Sequence, residues 1–281
     1  MKIIVLGNGQ WGPALASVLK RNVNSVSIWN QKGKIDKADV YVICLPVQVI
    51  RNLLELAQIE NSEKTIIVNG SKGIEKETHK LPNEIVREVV GGKIDYFCLV
   101  GPSFASEVID KMPTVVNIGY ENGLNKKIVR KIFETNYFRV KLTRGIKALE
   151  LSSALKNVYA IACGLSDGLG YKMNTRIQLI CLAIEELHKL VHIKSSVRVG
   201  TIGDLILTCN SMESRNFRFG KMLATTKVEE IIKTINEAVE GAQTIESVRK
   251  YHMPLLNFIA DVVKTDDPKT VKKKFKKFLA F

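Results

Sequence analysis

Two stretches of the chain hold residues whose types and spacing suit chemistry. In ELSSALKNVYAIACGLSDGLGY, residues 150–171, Lys156 and Asn157 lie in a largely apolar helical pattern beside Ser152, Ser153 and Ala154. A lysine in such surroundings is expected to be buried. Burial and nearby cations lower its pKa toward neutrality, as a general acid or base requires. In GTIGDLILTCNSMESRNFRFG, residues 200–220, Asp204 stands in a glycine-rich turn, followed by Ser214, Arg215 and Asn216. Guanidinium, hydroxyl and amide side by side suit a phosphate, because arginine donates a bidentate pair. A third feature, NGSKG at 69–73, puts Lys72 between glycines at the end of a predicted strand, where open α/β sheets bind ligands. Taken singly, each has a plainer alternative. A lysine among 42 basic residues suits a solvated surface, and an S-R-N triplet suits a loop.

The elements that must position these groups begin at the N-terminus. Lys2 to Leu6 is a short apolar, β-branched run, followed by Gly7, Gly9 and Gly12 in the spacing G-x-G-x-x-G. Ala14, Leu15, Val18 and Leu19 then recur at helical intervals. Strand, glycine turn and helix start in that order form the context of a dinucleotide-binding loop. Gly7 permits a sharp turn, Gly9 lets a pyrophosphate approach the backbone, and Gly12 brings helix and strand together. The first N–H groups of the helix and its dipole then face the phosphates. The same pattern also fits an ordinary βα turn. Further strands are predicted at 25–29, 40–45, 65–68, 95–100, 114–118 and 138–142, with helical patterns between several of them. Ser103, after Gly101-Pro102, is read as the cap of a following helix. Residues 1–144 are therefore expected to form a doubly wound, mostly parallel α/β domain. Residues 145–165 and 173–193 carry long helical periods, and no strand pattern follows. Residues 145–281 are expected to form an all-α domain, with the active site between the two.

Composition narrows the class. The chain has 281 residues, enough for about two domains, and 46% are hydrophobic, as in a soluble globular protein. No apolar run reaches the ~18 residues of a membrane span. The apolar run at the N-terminus stops at Gly7, too early for a signal peptide, so a cytoplasmic protein is expected. The five cysteines form no C-x-x-C pair and read as small buried hydrophobes without a disulfide or metal. His188 and His192 share a helix face with Glu185, yet no third His or Cys lies nearby, so no metal is expected. The net charge of +14 could signal nucleic acid or an acidic membrane. The lysines are spread along the chain, however, and concentrate only in the tail, VKKKFKKFLAF, which reads as a terminal helix with a solvated lysine face. Neither nucleic acid nor stable membrane insertion is expected.

Together these motifs resemble bacterial-type NAD(P)-dependent glycerol-3-phosphate dehydrogenase. The matching segments are GNGQWG at 7–12, NGSKG at 69–73, GPSFA at 101–105, and LSSALKN with GLSDGLG across 151–170. GDLILTC at 203–209, ESRNFRFG at 213–220 and AVEG at 238–241 complete the set in the family's order. The resemblance implies an N-terminal Rossmann domain, a helical C-terminal domain and a homodimer. It implies interconversion of dihydroxyacetone phosphate and sn-glycerol 3-phosphate, supplying phospholipid synthesis. By the same resemblance, Lys156 exchanges the proton at the C2 oxygen, and Lys72 contacts both substrate and cofactor. Asp204 binds substrate hydroxyls, Ser214, Arg215 and Asn216 bind the substrate phosphate, and Gly101 and Ser103 lie at the substrate. Gly7, Gly9, Gln10, Trp11, Gly12, Gln31, Lys72, Ala105, Arg215, Ala238 and Glu240 fall at cofactor positions. Gln10 departs from the family's usual serine, and Gln31 from its usual basic residue or His. No acid ends the second strand, where one would bind the ribose of NAD. Gln31 and Lys32 suit a 2′-phosphate instead, which favours NADP over NAD. Two other readings are a catalytically weakened dinucleotide-binding homologue and a basic binder of nucleic acid or membrane surface.

One segment is unusually short. Past Asn30 and Gln31 at the end of the second strand, only eight residues, Lys32 to Asp39, lead to the third, where the family spends several tens. The link must return a strand length of ~17–20 Å and cross two strand spacings, ~10 Å in all. Extended chain reaches ~26–30 Å over eight residues, whereas a helix reaches only ~12 Å. The link is expected to be extended or a single turn, with SVSIW as an edge strand and a shallower adenosine side.

Overall fold

The short runs at 2–6, 40–43 and 66–69 are rich in β-branched residues and that at 95–100 in aromatic and other apolar ones, and all four form strands buried on both faces. In the computed structural model, residues 1–30, 33–235, 239–265 and 267–280 are described. Among them the strands are β1 (Lys2–Leu6), β2 (Ser25–Trp29), β3 (Val40–Ile43), β4 (Ile66–Asn69), β5 (Asp95–Val100), β6 (Thr114–Tyr120) and β7 (Phe138–Arg144). They form one seven-stranded sheet in the order β2-β1-β3-β4-β5-β6-β7. All neighbours are parallel except β5 and β6, which pair antiparallel. Side chains alternate across the sheet. Ile3 and Val5 join the core under one face, and Ile4 and Leu6 the core under the other. The helices beside these strands are α1 (Trp11–Leu19), α2 (Ile50–Ala57), α3 (Pro82–Val89), α4 (Ala105–Ile109) and α5 (Lys126–Phe133).

After β7 the chain is helical: α6 (Ile146–Gly168), α7 (Met173–Val191), α8 (Asp204–Cys209), α9 (Arg215–Met222), α10 (Val228–Ile235), α11 (Glu240–Val248), α12 (Pro254–Val263) and α13 (Pro268–Leu279). The spine is α6, buried along nearly its whole length and packed against both the sheet and the other helices. Its Leu149, Leu155 and Leu165 are fully buried, each worth about 1.5–3 kcal/mol. The crossing of α6 with α9 is close because glycines sit at the contact. A Cβ on Gly164 would lie 2.0 Å from the Phe217 carbonyl oxygen, and one on Gly220 2.1 Å from that of Ile161.

The short link behaves as its length demands. Residues 33–39 contain no helix, β2 is the sheet edge, and no strand pairs outside it among the described residues. Three local expectations are corrected. The N-cap of α4 is Phe104, and the Ser103 hydroxyl instead donates to the Gly101 carbonyl at 3.0 Å. Ser214 and the two residues after it do not form a loop, because Ser214 caps α9 by accepting from Phe217 N. Cys181 is exposed on α7, unlike Cys98, Cys163 and Cys209. Among the described residues no helix is long and apolar enough to cross a membrane. Nor does any group of three or more His, Cys, Asp or Glu there have the arrangement of a metal site.

Candidate active site

The C-terminal ends of β1 and β4 open onto a cleft of about 410 Å³ whose opposite wall comes from α6, α8, α9 and α11. On the sheet side, Gly7 turns the chain at φ +124°, a conformation that favours glycine. A Cβ on Gly12 would lie 2.0 Å from the Gly7 carbonyl oxygen, so α1 starts hard against the turn. Gly9 faces open space in the cleft wall. No side chain caps α1, and the Trp11 indole N–H is buried without a partner while its ring lines the cleft. An uncapped helix start, an open glycine and a lone indole donor fit an anionic, acceptor-rich ligand such as a dinucleotide. Gln10, Ala105 and Glu240 line the same cleft, whereas Gly7 and Gly12 shape it from behind. Gln31, Lys32 and Ala238 lie outside the described residues.

Opposite this cradle, two lysines share one carboxylate. Lys156 on α6 is 4% exposed, and its Nζ donates to Asp204 Oδ1 at 2.5 Å and to Thr208 Oγ1 at 2.8 Å. Lys72, from the loop after β4, reaches Asp204 Oδ2 at 3.2 Å. Asp204 is itself buried. It does not stand in a loose glycine turn but opens α8, after a single π-helical turn at Val199–Gly203. It therefore sits behind the cleft wall, with both oxygens engaged by the lysines that line it. Burial drives the Lys156 pKa down to about 7. The Asp204 charge opposes the fall, and the Lys72 charge adds to it. Burial pulls on Lys72 too, but the Asp204 and Glu240 carboxylates outweigh it and hold that ammonium above its ordinary value. One lysine is thus poised to exchange a proton near neutrality while its neighbour stays charged.

The third cation comes from the start of α9. Ser214, Arg215 and Asn216 all line the cleft. The Asn216 Oδ1 accepts from Gly241 N at 2.8 Å and ties α9 to α11, while Asn157 Nδ2 holds Glu240 Oε2 at 2.8 Å. Arg215 is the first residue of α9, and a helix N-terminus with a guanidinium beside it suits an anion. Ser103 also lines the cleft, but Gly101 is buried beneath it, where a Cβ would strike Val116. Sequence reasoning missed Thr208 as a site residue and did not carry Asn157 into the site. Both signals were available: Thr208 lies four residues after Asp204 on one helix face, and Asn157 directly follows Lys156.

Comparison with known proteins agrees with this geometry. The family model described as NAD-dependent glycerol-3-phosphate dehydrogenase C-terminus matches residues 145–273. The corresponding N-terminus model matches residues 2–37 and 31–125, in two pieces that meet at the short link. Glycerol-3-phosphate dehydrogenase [NAD(P)+] of Thermotoga sp. (strain RQ2) is 35% identical over 285 residues, covering 89% of this chain and 86% of its own. The enzyme of the same name from Staphylococcus epidermidis is 31% identical, with 95% of each chain covered. The crystal structure of glycerol-3-phosphate dehydrogenase from Coxiella burnetii superposes with a TM-score of 0.88 at 27% identity over 98% of both chains. The chain belongs to the NAD(P)-dependent glycerol-3-phosphate dehydrogenase family.

Proposed function

We propose that the cleft interconverts dihydroxyacetone phosphate and sn-glycerol 3-phosphate, and that Lys156 and Lys72 share the work at the C2 oxygen. The observation that carries this reading is the single carboxylate, Asp204, holding both ammonium groups at one wall of the cleft. A dinucleotide held along Gly9, Gln10 and Trp11 would supply or accept the hydride. In reduction, Lys156 gives a proton from Nζ to the C2 oxygen as the carbonyl becomes an alcohol. In oxidation, the neutral amine takes that proton back. Lys72 remains an ammonium and stabilises negative charge on the same oxygen. Two of the three Lys156 donors are spent on Asp204 and Thr208, which leaves one for the substrate. Arg215 and the start of α9 receive the phosphate, with Ser214 and Asn216 beside them.

Residues 1–144 serve as the nucleotide half and 145–281 as the substrate half of a cytoplasmic homodimer that feeds phospholipid synthesis. The lack of a carboxylate at Trp29 and Asn30 supports NADP as the preferred dinucleotide. The deciding experiment is steady-state oxidation of NADPH and of NADH by dihydroxyacetone phosphate, with wild type and Lys156→Ala compared as folded proteins. Turnover by wild type alone supports the reading. Equal turnover by both removes Lys156 from the chemistry.

A further inference from the structure

A second buried carboxylate, outside the cleft, touches the machinery from behind. Glu150 lies on α6, less than two turns before Lys156, and is 3% exposed. It is surrounded by donors from three other elements. The Tyr96 phenol of β5 donates to Oε1, Asn69 Nδ2 at the end of β4 donates to Oε1 at 3.4 Å, and Asn83 N in the first turn of α3 donates to Oε2 at 3.1 Å. Asn69 then governs the next residues of its loop. Its Oδ1 accepts from Ser71 N at 3.0 Å, and its Nδ2 also donates to the Ser71 carbonyl at 3.1 Å. Ser71 in turn accepts from Leu45 N through Oγ at 3.1 Å. Lys72 is the next residue.

We infer that Glu150 is a positioning residue that acts through Asn69, registering the Lys72 loop against the helix that carries Lys156. This rests on the reading of Lys72 and Lys156 as partners at one oxygen. An ionised carboxylate accepts all three donors at once, whereas an amide presents a donor of its own to one of them. Burial raises the Glu150 pKa to about 7, and the bonds from Tyr96, Asn83 and Asn69 pull against that rise, so the donors are what favour the ion. The connection is short in bonds although Asn69 and Glu150 are 81 residues apart in sequence.

The test is a double-mutant cycle in the full-length protein with Glu150→Gln, Asn69→Ala and the pair, read in kcat, KM and thermal midpoint. Each single variant is expected to lose about tenfold to hundredfold in kcat, the scale of a misplaced catalytic group. The double variant is expected to be no slower than the slower single, because both changes cut one chain of bonds. A purely structural tie would lower the thermal midpoint and leave kcat alone, or give losses that multiply, and either result overturns the inference. If Glu150→Gln does not fold, Asn69→Ala decides by itself: it leaves two donors on Glu150, and an unchanged kcat overturns the proposal. Lys156→Ala and Lys72→Ala run alongside. If those stay active the catalytic reading fails, whereas if they are dead and the Glu150 and Asn69 variants are fully active, only the positioning role fails.

Discussion

Because Lys156 titrates near neutrality, the two directions of the reaction should respond to pH as mirror images. Reduction needs the ammonium form, and oxidation needs the free amine. With the pKa held at about 7 by burial, kcat/KM for dihydroxyacetone phosphate is expected to fall as pH rises through 7. Beyond that point the fall is roughly tenfold per pH unit, as for loss of a single proton. kcat/KM for glycerol 3-phosphate should climb through the same pH and then level off. The profile of kcat/KM is the one to measure, because it reports the free enzyme. The substrate phosphate ionises near pH ~6, below the window that matters. Lys156→Met is the accompanying perturbation. It keeps an unbranched side chain in the buried site, and Asp204 retains Lys72 as a counter-ion, so the carboxylate is not stranded. The expected loss in kcat is ~10²–10⁴, the usual contribution of a general acid or base. That corresponds to about 2.7–5.4 kcal/mol of barrier. A flat dihydroxyacetone phosphate profile from about pH 7 upward, or the same profile surviving in Lys156→Met, would refute the assignment.

Three further outcomes are open to measurement. Arg215→Ala should raise KM for dihydroxyacetone phosphate by roughly 10- to 150-fold, the value of a lost charge-assisted hydrogen bond. An unchanged KM would show that the phosphate binds elsewhere. Trp11→Phe removes the buried indole donor of the nucleotide cradle, and calorimetry should find NADPH binding weaker by about 2- to 12-fold. Equal affinity would take Trp11 out of the contact. Gly220→Ala drives a methyl toward the Ile161 carbonyl, so α6 and α9 must part, and the thermal midpoint should drop by roughly 2–10 °C. An unchanged midpoint would mean the crossing yields without cost.

Periodicity and spacing carried the sheet, the long helices and the glycine turn, because each depends on residues close together in the chain. The buried setting of Lys156 was readable for the same reason: small and apolar neighbours surround it at helical intervals. The shared carboxylate was not readable from the residues themselves. Asp204 lies 48 residues from Lys156 and 132 from Lys72, and only the packing of α8 against α6 brings them together. Ser103 misled because a serine before a helix is usually its cap, yet α4 starts at Ala105, which makes Phe104 the cap and leaves Ser103 one residue outside it. Cys181 misled because an apolar run does not say which of its positions faces solvent. The Glu150 network was invisible for the reason that hid Asp204, since its donors come from β4, β5 and α3.

Housing the proton-exchanging lysine on the most deeply enclosed helix has a consequence for how the enzyme fails. Many sites lie on segments that loosen below the melting temperature, and their activity fades first. Lys156 is carried by α6, which is buried along nearly its whole length and packs against the sheet, α8, α9 and α11, so loosening that helix means loosening the core. Heat inactivation and loss of helical circular dichroism should therefore trace one curve. Early fading of activity would locate the weak point in the loops that bear Lys72 and Ser103 and leave the helix sound.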